Sequence, residues 1–403
     1  MHAGHHVFAH IPHIHFFKLP EEVEHFYILA FVRTILTVTG GLFLPLFIYK
    51  ETASLFLVFL YMLLSQSLAK LPTRPFNLWV LKKYGVEWAM FLSIVLAGVE
   101  YFFVYFLGMS IAAVFFYGVL EGLSAALYWD AYHTSFGVFG RERDSAEEVA
   151  GLQVLQSITS VLLPLVSAII IGTIGFHAFY AVIFMGTVVG SLYLLSRFGE
   201  THRISYTMKD VLTVPYRDLH ISDGIQYGFT WVIPIFLYIV FGGSVMLFGA
   251  LKTTIGAAMA VFSLIIARYF DRKRAFGLGR ITYLGNSFFT AILSAFPTPI
   301  TASLLEIGRG LTNTFAVAIS ATLYRVVKHR SKALTVGRSF YVSVGKGIAF
   351  TAALLLAYAV EEAHVLELSP VDLTRYLIAM AAPFGIISFL LYRKLEREAA
   401  EYS

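Results

Sequence analysis

Cysteine is absent from the 403-residue chain, which removes disulfide frameworks and thiolate metal sites from consideration. Charge is scarce too: Asp, Glu, Lys and Arg make up 14% of residues, against about a quarter in a soluble globular chain. No Gly-x-x-x-x-Gly-Lys-Ser/Thr loop occurs, which argues against a fused ATP-driven pump. Nor does Met1 to Lys18 offer a basic segment leading into a small-residue cleavage site, so no signal peptide is expected there. Apolar residues, by contrast, make up 58% of the chain and come in long blocks. Phe102 to Val119 and Ser157 to Phe176 contain no charge. A helix crosses a hydrocarbon core of about 30 Å with roughly 20 such residues. The composition therefore points to an all-α membrane protein with the lipid bilayer as its solvent, and the net charge of +5 does not require a nucleic-acid partner.

Hydrophobic blocks and breakers predict twelve transmembrane helices, at 26–48, 52–70, 86–107, 110–136, 148–174, 176–196, 219–241, 244–268, 278–297, 299–324, 337–359 and 372–392. The basic residues test this division independently. Of the 30 Lys and Arg, all but six fall in the tails or in connections after even-numbered spans. Lys50 and Arg375 lie on the other side, and Arg33, Lys252, Arg309 and Lys346 lie inside spans. This asymmetry places both termini in the cytoplasm. The expected domains are a His-rich tail at 1–25, an N-terminal six-helix bundle at 26–196, a cytoplasmic linker at 197–218 and a C-terminal bundle at 219–403.

The two bundles share weak internal similarity. Pro45-Leu46-Phe47-Ile48-Tyr49 corresponds to Pro234-Ile235-Phe236-Leu237-Tyr238, and Glu121-Gly122-Leu123 to Arg309-Gly310-Leu311, at almost the same offset. Parallel six-helix repeats suit a two-bundle transporter with its site between the bundles. Ala267-Arg268-Tyr269-Phe270-Asp271-Arg272-Lys273-Arg274 adds a local motif, in which Asp271 and Arg272 are the matching residues. With these features, residues 26–396 resemble the major facilitator superfamily of twelve-helix secondary transporters. The motif departs from the family pattern at Ala267 and Arg274, where glycines are expected, and the fifth span has Pro164 without the glycines of an antiporter signature. The resemblance implies two pseudo-symmetric six-helix bundles, alternating access, a small-molecule substrate, a monomer in the plasma membrane, no enzymatic activity and no cofactor. It makes Asp271 and Arg272 a conformational loop motif. Proton coupling stays open, and symport and uniport are both compatible with it.

Ionisable residues inside spans are expensive and so are candidates for function. In the resembled fold the first, fourth, seventh and tenth helices line the cavity, and the repeat places Glu121 and Arg309 at equivalent positions on two of them. Two readings stand: a bridge that holds the bundles in one conformation, or a structural pair; Glu306, one turn before Arg309, is a competing partner. Asp130 and His133 share a helix face, as a proton site or as a polar helix end. Arg33 and Asp223 lie at similar depth and are expected as a cytoplasmic gate or a static bridge. Lys346, between Gly345 and Gly347, combines with Lys252 and Arg309 to favour an anionic substrate, whereas Glu100 is expected to be peripheral. Seven of the 13 histidines precede the first span; His2, His5, His6 and His10 have spacings that permit metal ligation, with an interfacial aromatic segment as the alternative. Competing classes are an intramembrane lipid-modifying enzyme, for which Asp130 and His133 are the candidate pair, and a receptor or metal sensor using the histidine tail.

Overall fold

The computed structural model describes residues 21–139, 145–196, 201–204, 206–273, 276–329 and 333–402, and every regular element among them is helical. Helix α1 (Glu21–Leu36) runs through a π-helical turn, Thr37–Gly41, into α2 (Leu42–Thr52). Helix α3 (Leu55–Leu63) ends in a second π turn, Leu64–Leu68. A short α4 (Arg74–Lys83) leads to α5 (Val86–Leu107), α6 (Ile111–Phe139) and α7 (Ser145–Ser196). Beyond α8 (Met208–Leu212) come α9 (Arg217–Thr230), α10 (Ile233–Val240), α11 (Val245–Lys273) and α12 (Gly279–Ala295). The chain ends with α13 (Pro299–Asn313), α14 (Ala316–His329), α15 (Ala333–Glu361), α16 (Pro370–Ala379) and α17 (Ala381–Glu401).

Eight stretches among the described residues are long and apolar enough to cross a membrane. They cover nine of the twelve expected spans, because the stretch Thr159–Ser196 serves two: Gly175, at φ 81° and ψ 169°, divides α7 where a residue with a Cβ would be strained. The second, ninth and tenth expected spans hold shorter helices. Polarity is inverted relative to a soluble protein. Ile300, Val189 and Leu304 are 65–74% exposed on the outside, while Arg33, Asp130 and Glu306 are at most 2% exposed inside. An apolar exterior around a charged interior is what a lipid solvent demands.

Five rods depart from regular α geometry. A π turn interrupts the first and ends the second; Trp231 and Val232 separate α9 from α10, Thr314 and Phe315 separate α13 from α14, and Met380 separates α16 from α17. At the α9–α10 break the cause is local, since Pro234 at the start of α10 has no N–H to continue the ladder. At the first π turn, Tyr101 donates to the Leu36 carbonyl and Tyr180 to the Gly40 carbonyl, each at 3.1 Å, so the disturbed backbone is satisfied by side chains.

Contacts between the two chain halves run mainly through two helix pairs, α7 with α11 and α3 with α15. Glycines allow the first: a Cβ on Gly249 would stand 2.7 Å from the Pro164 carbonyl oxygen. Helix α9 lies against α15 through Gly224 and Gly228, the latter 2.5 Å from the Ala349 Cβ by the same measure. The repeat-related Tyr49 and Tyr238 meet each other edge to face, ring centroids 6.5 Å apart. Part of the linker docks on the first half: His202 donates its amide to Glu87 at 2.9 Å and its ring bonds the same carboxylate at 2.8 Å. A capping box starts α8, in which the amide and hydroxyl of Thr207 hold the Asp210 carboxyl below its usual range.

Candidate functional site

Arg33 reaches from α1 to Glu121 on α6 and places one terminal nitrogen 3.0 Å from both carboxylate oxygens. The Tyr128 ring lies 5.8 Å from its guanidinium carbon. Glu100 is not peripheral: it is 1% exposed, accepts from Tyr61 at 3.3 Å, and faces Arg33 and Glu121 electrostatically. The expected Glu121–Arg309 bridge is therefore not formed, because Glu121 is engaged within its own half of the chain.

Arg309 is engaged within the other half. Its Nε and one terminal nitrogen each lie 2.6 Å from a different oxygen of Glu306, a bidentate pair one helical turn apart. Lys252 on α11 adds a third bond to Glu306 at 3.1 Å, and Asn286 stands 3.5 Å from Arg309. The expected Arg33–Asp223 gate is absent too, since Asp223 faces Arg338 of α15 at 3.7 Å. In both cases a partner within the same half, on the same helix or a neighbouring one, wins over the distant one.

Asp130 and His133 share a face of α6 but go to different partners. Asp130, fully buried, pairs with Arg74 of α4 and accepts from Asn77 at 3.2 Å. Arg74 also donates to Ser339 of α15 at 2.9 Å, which ties the halves together at this end. The His133 ring bonds the Tyr324 hydroxyl of α14 at 2.8 Å and stacks on Trp129. These contacts, with Tyr341 donating to the Leu212 carbonyl at 2.9 Å, close the end that carries the linker. At the opposite end Glu361, last residue of α15, accepts from Ser54 Oγ, Leu55 N and Phe56 N at 2.7, 2.7 and 3.2 Å. Its carboxylate caps α3 across the two halves.

Lys346 lies mid-way along α15 and donates to Gln66 Oε1 in the second π turn at 3.0 Å. Lys70, one turn further on and 4% exposed, donates to the same oxygen at 3.3 Å. Trp231, at the α9–α10 break and 38% exposed, presents its ring 4.9 Å from the Lys346 ammonium. Gly345 and Gly347 make this position possible: α9 lies against the first, and Ser67 of the π turn against the second. Among the described residues no carboxylate comes within 4.0 Å of either lysine. Among the described residues the interior cations Arg33, Lys70, Arg74, Lys252, Arg309, Arg338 and Lys346 thus meet five carboxylates, Glu100, Glu121, Asp130, Asp223 and Glu306, and the surplus collects at Gln66.

Gln66, Lys70, Arg74, Arg338 and Tyr324 are site residues that sequence reasoning missed. Lys70, Arg74 and Arg338 read there as basic loop residues; a neutral Gln in an apolar run four residues before a Lys was the available signal. Asp271 and Arg272 fall in the last turn of α11, not in a loop, and their side chains lie outside the described residues. His2, His5, His6 and His10 also lie outside them, and no group of three metal-ligating side chains occurs among the described residues.

No protein-family model and no curated protein matches the sequence. The structure is similar to that of the human organic anion transporter MFSD10 (TETRAN), with a TM-score of 0.65 over 93% of this chain and 100% of that one, at 12% sequence identity. The chain has the fold of major facilitator superfamily transporters and is a multi-pass membrane protein.

Proposed function

We propose that this chain is a secondary transporter that moves a small organic anion across the membrane by alternating access, as a monomer in the plasma membrane with both termini cytoplasmic. One observation carries the choice of substrate class: two ammonium groups from different halves of the chain converge on a single uncharged acceptor, Gln66 Oε1. Buried charges are ordinarily paired, and an anionic solute supplies the missing partner. The organic anion named for the structural neighbour agrees with this chemistry. Trp231 adds an apolar wall beside the cations, as organic ligands require. Contacts at both ends join the halves, and opening one end at a time is the motion that alternating access needs. The intramembrane-enzyme alternative loses its candidate pair, because Asp130 is held by Arg74 while His133 turns to Tyr324.

The test is uptake of labelled benzoate and labelled succinate into proteoliposomes, with tetraethylammonium as the cationic control. Saturable uptake of an anion but not of the cation is expected. Lys346→Gln should lower it by about tenfold to a hundredfold, the worth of a hydrogen bond to a charged group. Saturable uptake of the cation alone defeats the proposal.

A further inference from the structure

The two ammonium groups that share Gln66 Oε1 stand on opposite halves of the chain: Lys70 follows the π turn at the end of α3, and Lys346 sits in α15. We infer, resting on the anion-carrier reading above, that the protein is an obligate anion exchanger: its site reorients with an anion bound and returns only with another. The surrounding charges explain why. Lys70 donates to Gln66 Oε1 at 3.3 Å, and among the described residues no carboxylate lies within 4.0 Å of it. Glu121 already holds both oxygens on Arg33. Asp223 attracts Lys346 and Arg338 repels it, but Asp223 faces Arg338 at 3.7 Å. Glu100, the remaining carboxylate of this region, takes the Tyr61 hydroxyl. Trp231 offers Lys346 its ring and no compensating charge. Gln66 gives each ammonium a dipole, shared between two.

Reorientation moves α15 against α3, and with them the two lysines relative to each other. When an anion sits between them, the moving centre is neutralised. When it does not, the halves must pass through a closed state in which two like charges face one amide oxygen in a water-poor interior. Uncompensated charge there is what a membrane interior penalises most. The loaded carrier therefore crosses quickly and the unloaded one slowly, so transport appears as exchange.

Proteoliposomes with the membrane potential clamped decide this. Entry of labelled succinate or benzoate is measured into vesicles preloaded with the same unlabelled anion and into vesicles holding none. Preloading should raise the initial rate at least about tenfold, a conservative reading of the penalty for unpaired charge inside a membrane. Lys70→Gln, which removes one of the two charges and keeps a polar side chain, should bring the ratio of the two rates towards one. Equal wild-type rates in both kinds of vesicle overturn the exchanger and leave the anion carrier standing. So does rapid entry into empty vesicles driven by an inward proton gradient, which would show the unloaded return made easy by protons. No saturable entry of either anion overturns both readings. If Lys70→Gln and Lys346→Gln both keep the wild-type ratio while melting normally, the lysines are not the cause and the inference fails.

Discussion

At the scale of single residues, the interior is governed by which partner lies within reach, and a charge-swap experiment exposes this directly. Arg33 is 2% exposed, and its Nε and one terminal nitrogen have no hydrogen-bond partner, so Glu121 carries most of its compensation. Glu121→Gln should destabilise the detergent-purified protein by about 3–5 kcal/mol, the loss seen when a buried pair is broken. Arg33→Glu together with Glu121→Arg should melt higher than either single reversal. The same double reversal applied to Glu121 and Arg309 should give no rescue, because each leaves a different local partner stranded, Arg33 in one case and Glu306 in the other. Rescue of the Glu121–Arg309 pair, and not of Arg33–Glu121, would contradict the structure.

At the scale of elements, helix irregularity and small residues position the site together. The second π turn places Gln66 Oε1 where both Lys70 and Lys346 donate to it, and α6 packs on that turn through Gly118 and Gly122. A Cβ on Gly122 would stand 2.5 Å from the Ala69 Cβ and 3.0 Å from the Leu64 carbonyl oxygen. Gly122→Val should therefore lower stability by about 1–3 kcal/mol, as overpacking does, and should reduce transport by displacing Lys70. Gly172→Ala, where a Cβ meets nothing within 4 Å, is the control and should melt at or slightly above wild type. A thermal melt of both variants checks the pair.

This level also shows where sequence reading reaches its limit. Span positions were legible because hydrophobic length is a one-dimensional property, and the break at Gly175 fell between two expected spans. Helix α4 reads in sequence as a connection, since ten residues with two lysines resemble a loop, and its role emerges only where Asn77 and Arg74 reach Asp130. The π turns leave no mark in composition. Candidate residues were found because charge inside an apolar run is visible, whereas their partners depend on helix rotation, which is not. Glu306 beside Arg309 is the exception, being one turn away on the same helix.

At the scale of the whole molecule, the absence of cysteine allows single reporters to be read cleanly. Cysteines at Glu367, between α15 and α16, and at Lys209, in the linker helix α8, are both exposed and should react with an impermeant thiol reagent from opposite sides of the bilayer. Reaction of both from one side would refute the crossing scheme. The Glu367 side then defines the end closed by Glu361, whose carboxylate accepts three bonds from the start of α3. Loss of a helix cap is worth roughly 0.5–2 kcal/mol. Because this cap also joins the two halves, Glu361→Ala should release that free energy into opening at this end. A reporter cysteine replacing Trp231, at the mid-length break between α9 and α10, should be labelled from the Glu367 side about tenfold faster in the Glu361→Ala background. Labelling from the linker side should slow in step, since one end opens at the expense of the other; faster labelling from both sides would mean a loosened structure instead of a shifted equilibrium.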